Sequence, residues 1–234
     1  MDWLDNVKEY FRKTVPEPVS DIQPVQSPPS RFLINNENLK SLSHKWNDQK
    51  NNVHSPSSAC NVTTLQVLFS LDSKITDDEL WELANSKEMH ERMNVIYTDK
   101  GNRAFLDTKY ASKSANTVFT VLVECANKIV GEPGYCKAVN LTREILINEI
   151  NNGYPVEVCG AFTNIKNNLS HFVAIVGYDN QKRVWIVNDP WGDMNSNYKI
   201  KVGDHVEYSY DKLTIGQFLY PTAIIVHPDK RIKV

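Results

Sequence analysis

Three side chains that could carry out nucleophilic chemistry occur in a fixed order along this chain. Cys60 stands at the start of an apolar stretch, His171 opens a run of apolar residues, and Asp189 closes the next such run. A thiolate is a strong nucleophile, an imidazole can take up and return a proton, and a carboxylate can hold that imidazole in one orientation. The order Cys, His, Asp therefore predicts a nucleophile, a base and an orienting group.

The segment from Cys60 to Ser70 is predicted to be the helix that positions the nucleophile. Apolar residues recur there at helical spacing, and Ser57 or Ser58 is the expected N-cap. A cysteine in the first helical turn faces unpaired backbone N–H groups and the positive end of the helix dipole. Both features favour the thiolate.

Two neighbouring strands are predicted to bring His171 and Asp189 together. Residues 171–178 and 183–188 have the apolar pattern of strands, and a short turn separates them. Antiparallel neighbours joined by a tight turn place the start of the first strand and the end of the second at the same edge of the sheet. Asp189 can then accept a hydrogen bond from one imidazole nitrogen while the other nitrogen faces sulfur.

The rest of the chain predicts helices first and strands later. Helices are expected at residues 76–86, 87–98, 115–130 and 142–152, with a short one at 211–218, and further strands at 155–162, 198–202, 205–209 and 222–226. This order predicts an α+β fold with an antiparallel sheet. In it, a helical subdomain carrying the Cys60 helix packs against the sheet that carries His171 and Asp189.

The first 30 residues are predicted to be an arm that precedes a single domain at residues 31–234. Residues 2–13 can form an amphipathic helix, and residues 15–30 contain five prolines, which is typical of an extended linker. The helix either covers its own domain or docks to a protein partner.

Composition and charge exclude several classes of partner. The 234 residues carry a net charge of -2 without a block of like charge, so neither a nucleic-acid surface nor an anionic-membrane surface is expected. No apolar run approaches the roughly 20 residues that cross a bilayer. Acidic residues stand near the N-terminus where a secretory signal has basic ones, so cytoplasmic synthesis is expected, with later release or incorporation into a virion left open.

Neither a cofactor nor a metal ion is expected. No His, Cys, Asp or Glu cluster has metal-ligand spacing, and no glycine-rich phosphate loop is present. The four cysteines are Cys60, Cys125, Cys136 and Cys159. Their wide spacing in a chain of this length does not indicate a disulfide scaffold.

The motifs around the three candidate residues resemble a known family. His-Phe-Val-x-x-x-Gly-Tyr-Asp at residues 171–179, followed by Val-Asn-Asp-Pro-Trp-Gly at 187–192, resembles papain-like cysteine peptidases of the bacteriocin-processing type, the double-glycine peptidases. Ser-Pro-Ser-Ser-Ala-Cys-Asn-Val-Thr at residues 55–63 is similar to stand-alone members associated with phages or cell walls. The resemblance covers residues 40–227 and implies a papain-like fold.

By this resemblance Cys60 is the nucleophile, His171 is the general base and acid, and Asp189 orients His171. The family also places a glutamine before the cysteine, whose amide helps to hold the oxyanion. Gln49 is the match, and Asn52 is the alternative because the gap from Gln49 to Cys60 is longer than in papain. Asn61 departs from the glycine that many members have beside the nucleophile, which predicts a narrower or reshaped cleft.

The resemblance implies a cysteine peptidase that hydrolyses a peptide amide bond through a thioester. The expected substrate is a peptide or protein. Three alternatives stay open: a peptidoglycan peptide as substrate, acyl transfer instead of hydrolysis, and a non-catalytic module tethered to a larger assembly. The chain has neither a long apolar segment nor a Gly-x-x-x-x-Gly-Lys loop, which argues against a leader-cleaving exporter.

Overall fold

Eight strands and four helices make up the part of the chain that the computed structural model describes, residues 31–71, 75–89, 115–163 and 170–226. The strands are β1 (Phe32–Asn35), β2 (Leu39–Leu42), β3 (Cys136–Asn140), β4 (Val156–Gly160), β5 (His171–Asp179), β6 (Val184–Asn188), β7 (Val206–Ser209) and β8 (Leu219–Val226). The helices are α1 (Cys60–Phe69), α2 (Asp77–Ala84), α3 (Ala115–Val130) and α4 (Arg143–Asn151), with 3-10 turns at Gln49–Asn51 and Met194–Ser196. Within these ranges, no helix is both long and apolar enough to cross a membrane.

The strands form one antiparallel sheet with β5 at its centre. The order is β1-β2-β5-β4-β8-β3, while β6 pairs with β5 and β7 pairs with β6. β5 pairs with β4 over residues 171–175, with β2 over residues 177–179 and with β6 over residues 174–179. All nine residues of β5 are buried, which explains why this strand is a continuous apolar run rather than an alternating one.

Helix α1 packs against the sheet, mainly against β5, and also contacts α2 and α3. Eight of its ten residues are buried, and each buried aliphatic side chain contributes about 1.5–3 kcal/mol. The Thr64 hydroxyl donates to the Phe172 carbonyl of β5 at 3.1 Å, which ties the helix to the central strand. Helix α3 contributes Phe119, whose ring lies 5.4 Å from the ring of Phe172. The start of α1 is thereby fixed against the start of β5.

The predicted α+β class is confirmed, and so is the packing of the Cys60 helix against the antiparallel sheet. The helices predicted at residues 76–86, 115–130 and 142–152 are present as α2, α3 and α4. Thr142 is the N-cap of α4, its hydroxyl accepting from the Ile145 N–H at 3.2 Å. The strands predicted around residues 155–162, 171–178, 183–188, 205–209 and 222–226 are present with shifted ends.

Three local predictions are wrong. No strand occupies residues 198–202, because Asn197 and Tyr198 adopt φ values of 53° and 59°, which a strand cannot contain. Residues 211–218 form turns instead of a helix, with Gly216 at φ +80°. The N-cap of α1 is Ala59, with no side-chain hydrogen bond from Ser57 or Ser58.

The pattern along the chain did not predict β1, β2 and β3. These strands have only four or five residues, and β1 and β3 stand at the two ends of the sheet order. Of the helix predicted at residues 87–98, only residues 87–89 are described, and they are helical. The N-terminal arm, residues 1–30, lies outside the described residues, so its helix, its linker and its partner stay predictions.

Candidate active site

Cys60 is the first residue of α1, and its side chain is half-buried. The Thr63 N–H bonds the Ala59 carbonyl at 2.9 Å, which closes the first helical turn. Backbone N–H groups before that point have no partner within a helix, and the positive end of the helix dipole favours negative charge beside them. Cys60 thus lies at the positive end of the α1 dipole.

Asn61 follows the cysteine directly in the first turn of α1. Its side chain is buried, and its carbonyl oxygen accepts from the Val62 N–H at 2.9 Å. The side chain therefore satisfies one N–H of the first turn of α1, the role that the predicted cap residues Ser57 and Ser58 do not fill.

His171 and Asp189 form a buried hydrogen-bonded pair at one edge of the sheet. His171 begins β5, Asp189 follows the last residue of β6, and Nε2 of the imidazole lies 2.8 Å from Oδ1 of the carboxylate. The register between Ala174 and Asn188 brings these strand ends together, as the sequence predicts. Because a carboxylate only accepts hydrogen bonds, Nε2 carries the proton and Nδ1 is left for Cys60.

The imidazole of His171 is held in its charged form. Burial by itself would lower its pKa, but the charge of Asp189, the hydrogen bonds with Asp189 and Cys60, and the charge of Cys60 outweigh that effect. The net result raises the pKa of His171 to about 10. An imidazolium beside a cysteine sulfur at neutral pH is the pairing that an activated thiolate needs.

The carboxylate of Asp189 is fully buried and completely hydrogen-bonded. Oδ1 accepts from the backbone N–H of Trp191 at 2.9 Å as well as from His171. Oδ2 accepts from the hydroxyl of Tyr208 at 2.8 Å. Three donors on one carboxylate offset the cost of burying its charge.

The backbone of Asp189 is fixed from both sides. The indole Nε1 of Trp46 donates to its carbonyl at 2.7 Å, and its own N–H donates to the Gly203 carbonyl at 2.9 Å. A Cβ at Gly203 would lie 2.0 Å from the Asp189 carbonyl oxygen, so only glycine permits this approach. Gly192, the last residue of the second sequence motif, has φ +123° and packs against the Ile200 carbonyl in the same loop.

Two aromatic rings flank the imidazole of His171. The ring of Phe162 lies 6.0 Å from it, and the ring of Tyr198 meets it edge-on at 6.3 Å. The Tyr198 hydroxyl is buried near Asp189. Burial first, then the charges of Asp189 and Cys60 and a hydrogen bond with Asp189, raise the pKa of Tyr198. These rings exclude water from the imidazole and strengthen its electrostatic interactions.

Gln49 connects the two halves of the site. Its backbone N–H donates to the Pro190 carbonyl at 3.0 Å, directly after Asp189. Its buried side-chain Nε2 donates to the Pro56 carbonyl at 3.1 Å, in the loop that leads to Cys60. An amide NH2 group has two protons, so one remains for an oxyanion.

Asn52, the alternative oxyanion donor, is also buried beside this loop. Its side-chain oxygen accepts from the N–H groups of His54 and Ser55 at 3.1 and 2.9 Å. Its Nδ2 has no hydrogen-bond partner among the described residues. Both predicted candidates therefore retain at least one N–H that could be donated.

A carboxyl group that the sequence pattern did not predict to be part of the site lies buried near Cys60. Glu157 of β4 is fully buried, and neither of its oxygens has a hydrogen-bond partner within the described part of the chain. Burial raises its pKa well above the ordinary value, and the charge of Cys60 raises it further. The signal in the sequence was one acidic residue within the apolar run from Val156 to Gly160.

The other three cysteines are buried thiols. Burial raises the pKa of Cys125 to about 12 and raises the pKa of Cys136 and Cys159 well above the ordinary value. All four cysteines are free, and Cys60 alone is half-buried. Among the described residues, no group of three or more His, Cys, Asp or Glu side chains is arranged to hold a metal ion.

The chain belongs to the Peptidase_C39 like family, whose family model matches residues 41–215. That range contains Gln49, Cys60, His171 and Asp189. Among solved structures, the chain is similar to xylellain, a cysteine protease from Xylella fastidiosa. The sequence identity is 12%, the match covers 91% of this chain and 94% of that chain, and the TM-score is 0.41. No curated protein matches the chain. The resemblance to this peptidase family is confirmed, and the bacteriocin-processing, phage-associated or cell-wall-associated subtype stays a prediction.

Proposed function

We propose that this member of the Peptidase_C39 like family is a cysteine peptidase that hydrolyses a peptide amide bond through a thioester at Cys60. One observation carries the proposal: a buried His171–Asp189 pair, joined at 2.8 Å, faces the cysteine at the first position of α1. This arrangement supplies an activated nucleophile, a proton carrier and an orienting group in one place.

Acylation begins when the Cys60 thiolate attacks the carbonyl carbon of the scissile amide. The oxyanion that develops accepts hydrogen bonds from the backbone N–H of Cys60 and from the side-chain amide of Gln49. Nδ1 of the His171 imidazolium then gives its proton to the amide nitrogen. The C–N bond breaks, the amine leaves, and a thioester remains on sulfur.

Deacylation uses the same groups in reverse. His171, now neutral, takes a proton from a water molecule, which attacks the thioester carbonyl. The C–S bond breaks, the acid is released, and the Cys60 thiolate and the imidazolium are restored. Asp189 keeps the Nε2–H of His171 in place throughout, so that Nδ1 always faces the sulfur.

Selective alkylation tests this proposal before any substrate is known. Brief treatment with limiting iodoacetamide at about pH 6, followed by intact-mass spectrometry and peptide mapping, should give one rapid adduct at Cys60, because only a thiolate reacts quickly at that pH. The variant His171→Ala should lose the rapid phase, and Cys159→Ala should keep it. Slow labelling spread over several cysteines would contradict an activated site.

Reactivity at Cys60 then justifies a substrate screen. Peptides and proteins form the first set, and muropeptides form a second set that addresses the peptidoglycan alternative. Hydrolysis should be abolished in Cys60→Ala. An added amine that appears in the product in place of water would identify acyl transfer. Full activity of Cys60→Ala would overturn the mechanism.

A further inference from the structure

Strand β7 brings a tyrosine to the far side of the candidate triad. Tyr208 is fully buried, and β7 pairs with β6, the strand that ends directly before Asp189. The Tyr208 hydroxyl lies 2.8 Å from Oδ2, the carboxylate oxygen that His171 does not use. This contact joins residues 19 positions apart in the chain.

The hydrogen bonds around this hydroxyl fix the direction of its single proton. The Met194 N–H donates to the hydroxyl oxygen at 2.9 Å, so that side of the oxygen is an acceptor. Two acceptors remain, Oδ2 of Asp189 at 2.8 Å and the Gly192 carbonyl at 3.3 Å. A hydrogen bond to an ionised carboxylate is shorter and stronger than one to a neutral carbonyl. The proton of Tyr208 therefore goes to Asp189.

This bond fixes the orientation of the Asp189 carboxylate. The terminal torsion of an aspartate is broad, so a carboxylate held only through Oδ1 could turn away from His171. Anchoring Oδ2 to Tyr208 leaves Oδ1 facing Nε2.

We propose that Tyr208 is a positioning residue of this site, whose hydroxyl holds Asp189 in the orientation that lets His171 pair with Cys60. The role of Tyr208 in catalysis rests on the proposed function. The hydrogen bond between Tyr208 and Asp189 is independent of that function. Three titratable groups face Asp189: His171 from β5, Tyr208 from β7 and Tyr198. Tyr198 lies in the loop between the Met194–Ser196 turn and β7. Cys60 of α1 lies next to His171.

A matched control stands two residues further along the chain. Tyr210 is half-buried, and its hydroxyl donates to the side chain of Asn180 at 2.9 Å. Tyr208→Phe and Tyr210→Phe each remove one hydroxyl and keep the ring. Only the first removal reaches Asp189, so a general effect of losing a tyrosine hydroxyl would appear in both variants.

The experiment measures the rate constant of Cys60 alkylation by iodoacetamide between about pH 4.5 and pH 9, which needs no substrate. Loss of the hydroxyl frees Oδ2, so the carboxylate can turn away from His171. We expect the rate constant of Tyr208→Phe to be roughly tenfold lower near pH 5, where rapid alkylation depends on the pairing of His171 with Cys60. The Tyr210→Phe profile should overlay the wild-type profile. An overlay of Tyr208→Phe as well would overturn the proposal.

A double-mutant cycle with Asp189→Asn separates positioning from packing. If Tyr208 acts through Asp189, adding Tyr208→Phe to Asp189→Asn should cause no further loss of alkylation rate. Additive losses would show that Tyr208 acts elsewhere and would overturn the proposal. A wild-type protein without rapid alkylation at Cys60 would instead contradict the proposed function, which keeps the two failures distinct.

Proton NMR of the unaltered chain gives a second measurement if Tyr208→Phe does not fold or if Cys60 proves unreactive. A tyrosine hydroxyl proton held by a buried carboxylate should exchange slowly and give a resolved signal in water. Where Cys60 does react, its alkylation changes the charge beside His171, so this signal should shift in the modified protein. The lack of such a protected hydroxyl signal would overturn the proposal.

Discussion

Replacing Glu157 with glutamine is expected to make the stability of the protein less dependent on pH. The wild-type carboxyl is buried without a hydrogen-bond partner in the described residues, and burial raises its pKa well above the ordinary value of 4.5. In the unfolded chain the same group titrates near that ordinary value. Between the two pKa values, the folded state therefore binds one proton more than the unfolded state.

The sign and size of the effect follow from proton linkage. Because the folded state holds the extra proton, raising the pH favours the unfolded state. The contribution of Glu157 to stability is full below its ordinary pKa and falls by about 1.4 kcal/mol for each pH unit above it, until the folded-state pKa is reached. Glutamine has no proton to lose, so Glu157→Gln should remove this slope.

Urea unfolding followed by tryptophan fluorescence at several pH values measures this slope. Glu79→Gln is the control of opposite sign, because hydrogen bonds with the backbone and side chain of Thr76 lower the pKa of Glu79. The Glu79 contribution is present above its ordinary pKa and is lost as the pH falls. The reasoning would be refuted if the free energies of unfolding of the wild type and Glu157→Gln changed equally with pH between about pH 5 and pH 7. Glu157 would then not lose a proton on unfolding.

Two further predictions concern catalysis. The reaction needs the imidazolium of His171, whose pKa is raised to about 10, so kcat/KM should stay constant through neutral pH and fall as the pH approaches that value. The contribution of the charged His171 to the free energy of unfolding is full below pH 6.5 and is lost as the pH rises towards 10. In Asp189→Asn the alkaline limb should move towards 6.5, and a limb that does not move would contradict the role of Asp189. Gln49→Ala should lower kcat by about 10²–10³ while Asn52→Ala changes it less than roughly threefold, and the reverse result would assign the oxyanion donor to Asn52.

The parts of the site that were predictable from the sequence depend on local patterns. The helix that begins at Cys60 follows from apolar spacing over ten residues, and β5 and β6 are joined by a short turn that sets their pairing. Elements adjacent in the chain pair with little loss of entropy, so their register can be read from their own residues. His171 and Asp189, 18 residues apart, could therefore be placed together.

The residues that complete the site come from distant parts of the chain. Trp46 bonds the Asp189 carbonyl across 143 residues, and no spacing rule predicts such a contact. Tyr208 lies in a strand that was predicted, but its partner depends on the loop between β6 and β7. That loop was predicted to contain a strand and instead turns through left-handed backbone at Asn197 and Tyr198.

The sequence by itself determined the order of the chemical groups, the α+β class and the elements that carry Cys60, His171 and Asp189, because periodicity and short turns are local properties. Only the tertiary structure decided how those groups are tuned. The charge of His171, the three donors on Asp189 and the burial of the Glu157 carboxyl depend on packing and on distances between remote residues. The strength of an electrostatic interaction changes with the exclusion of water, which a chain acquires only when it folds.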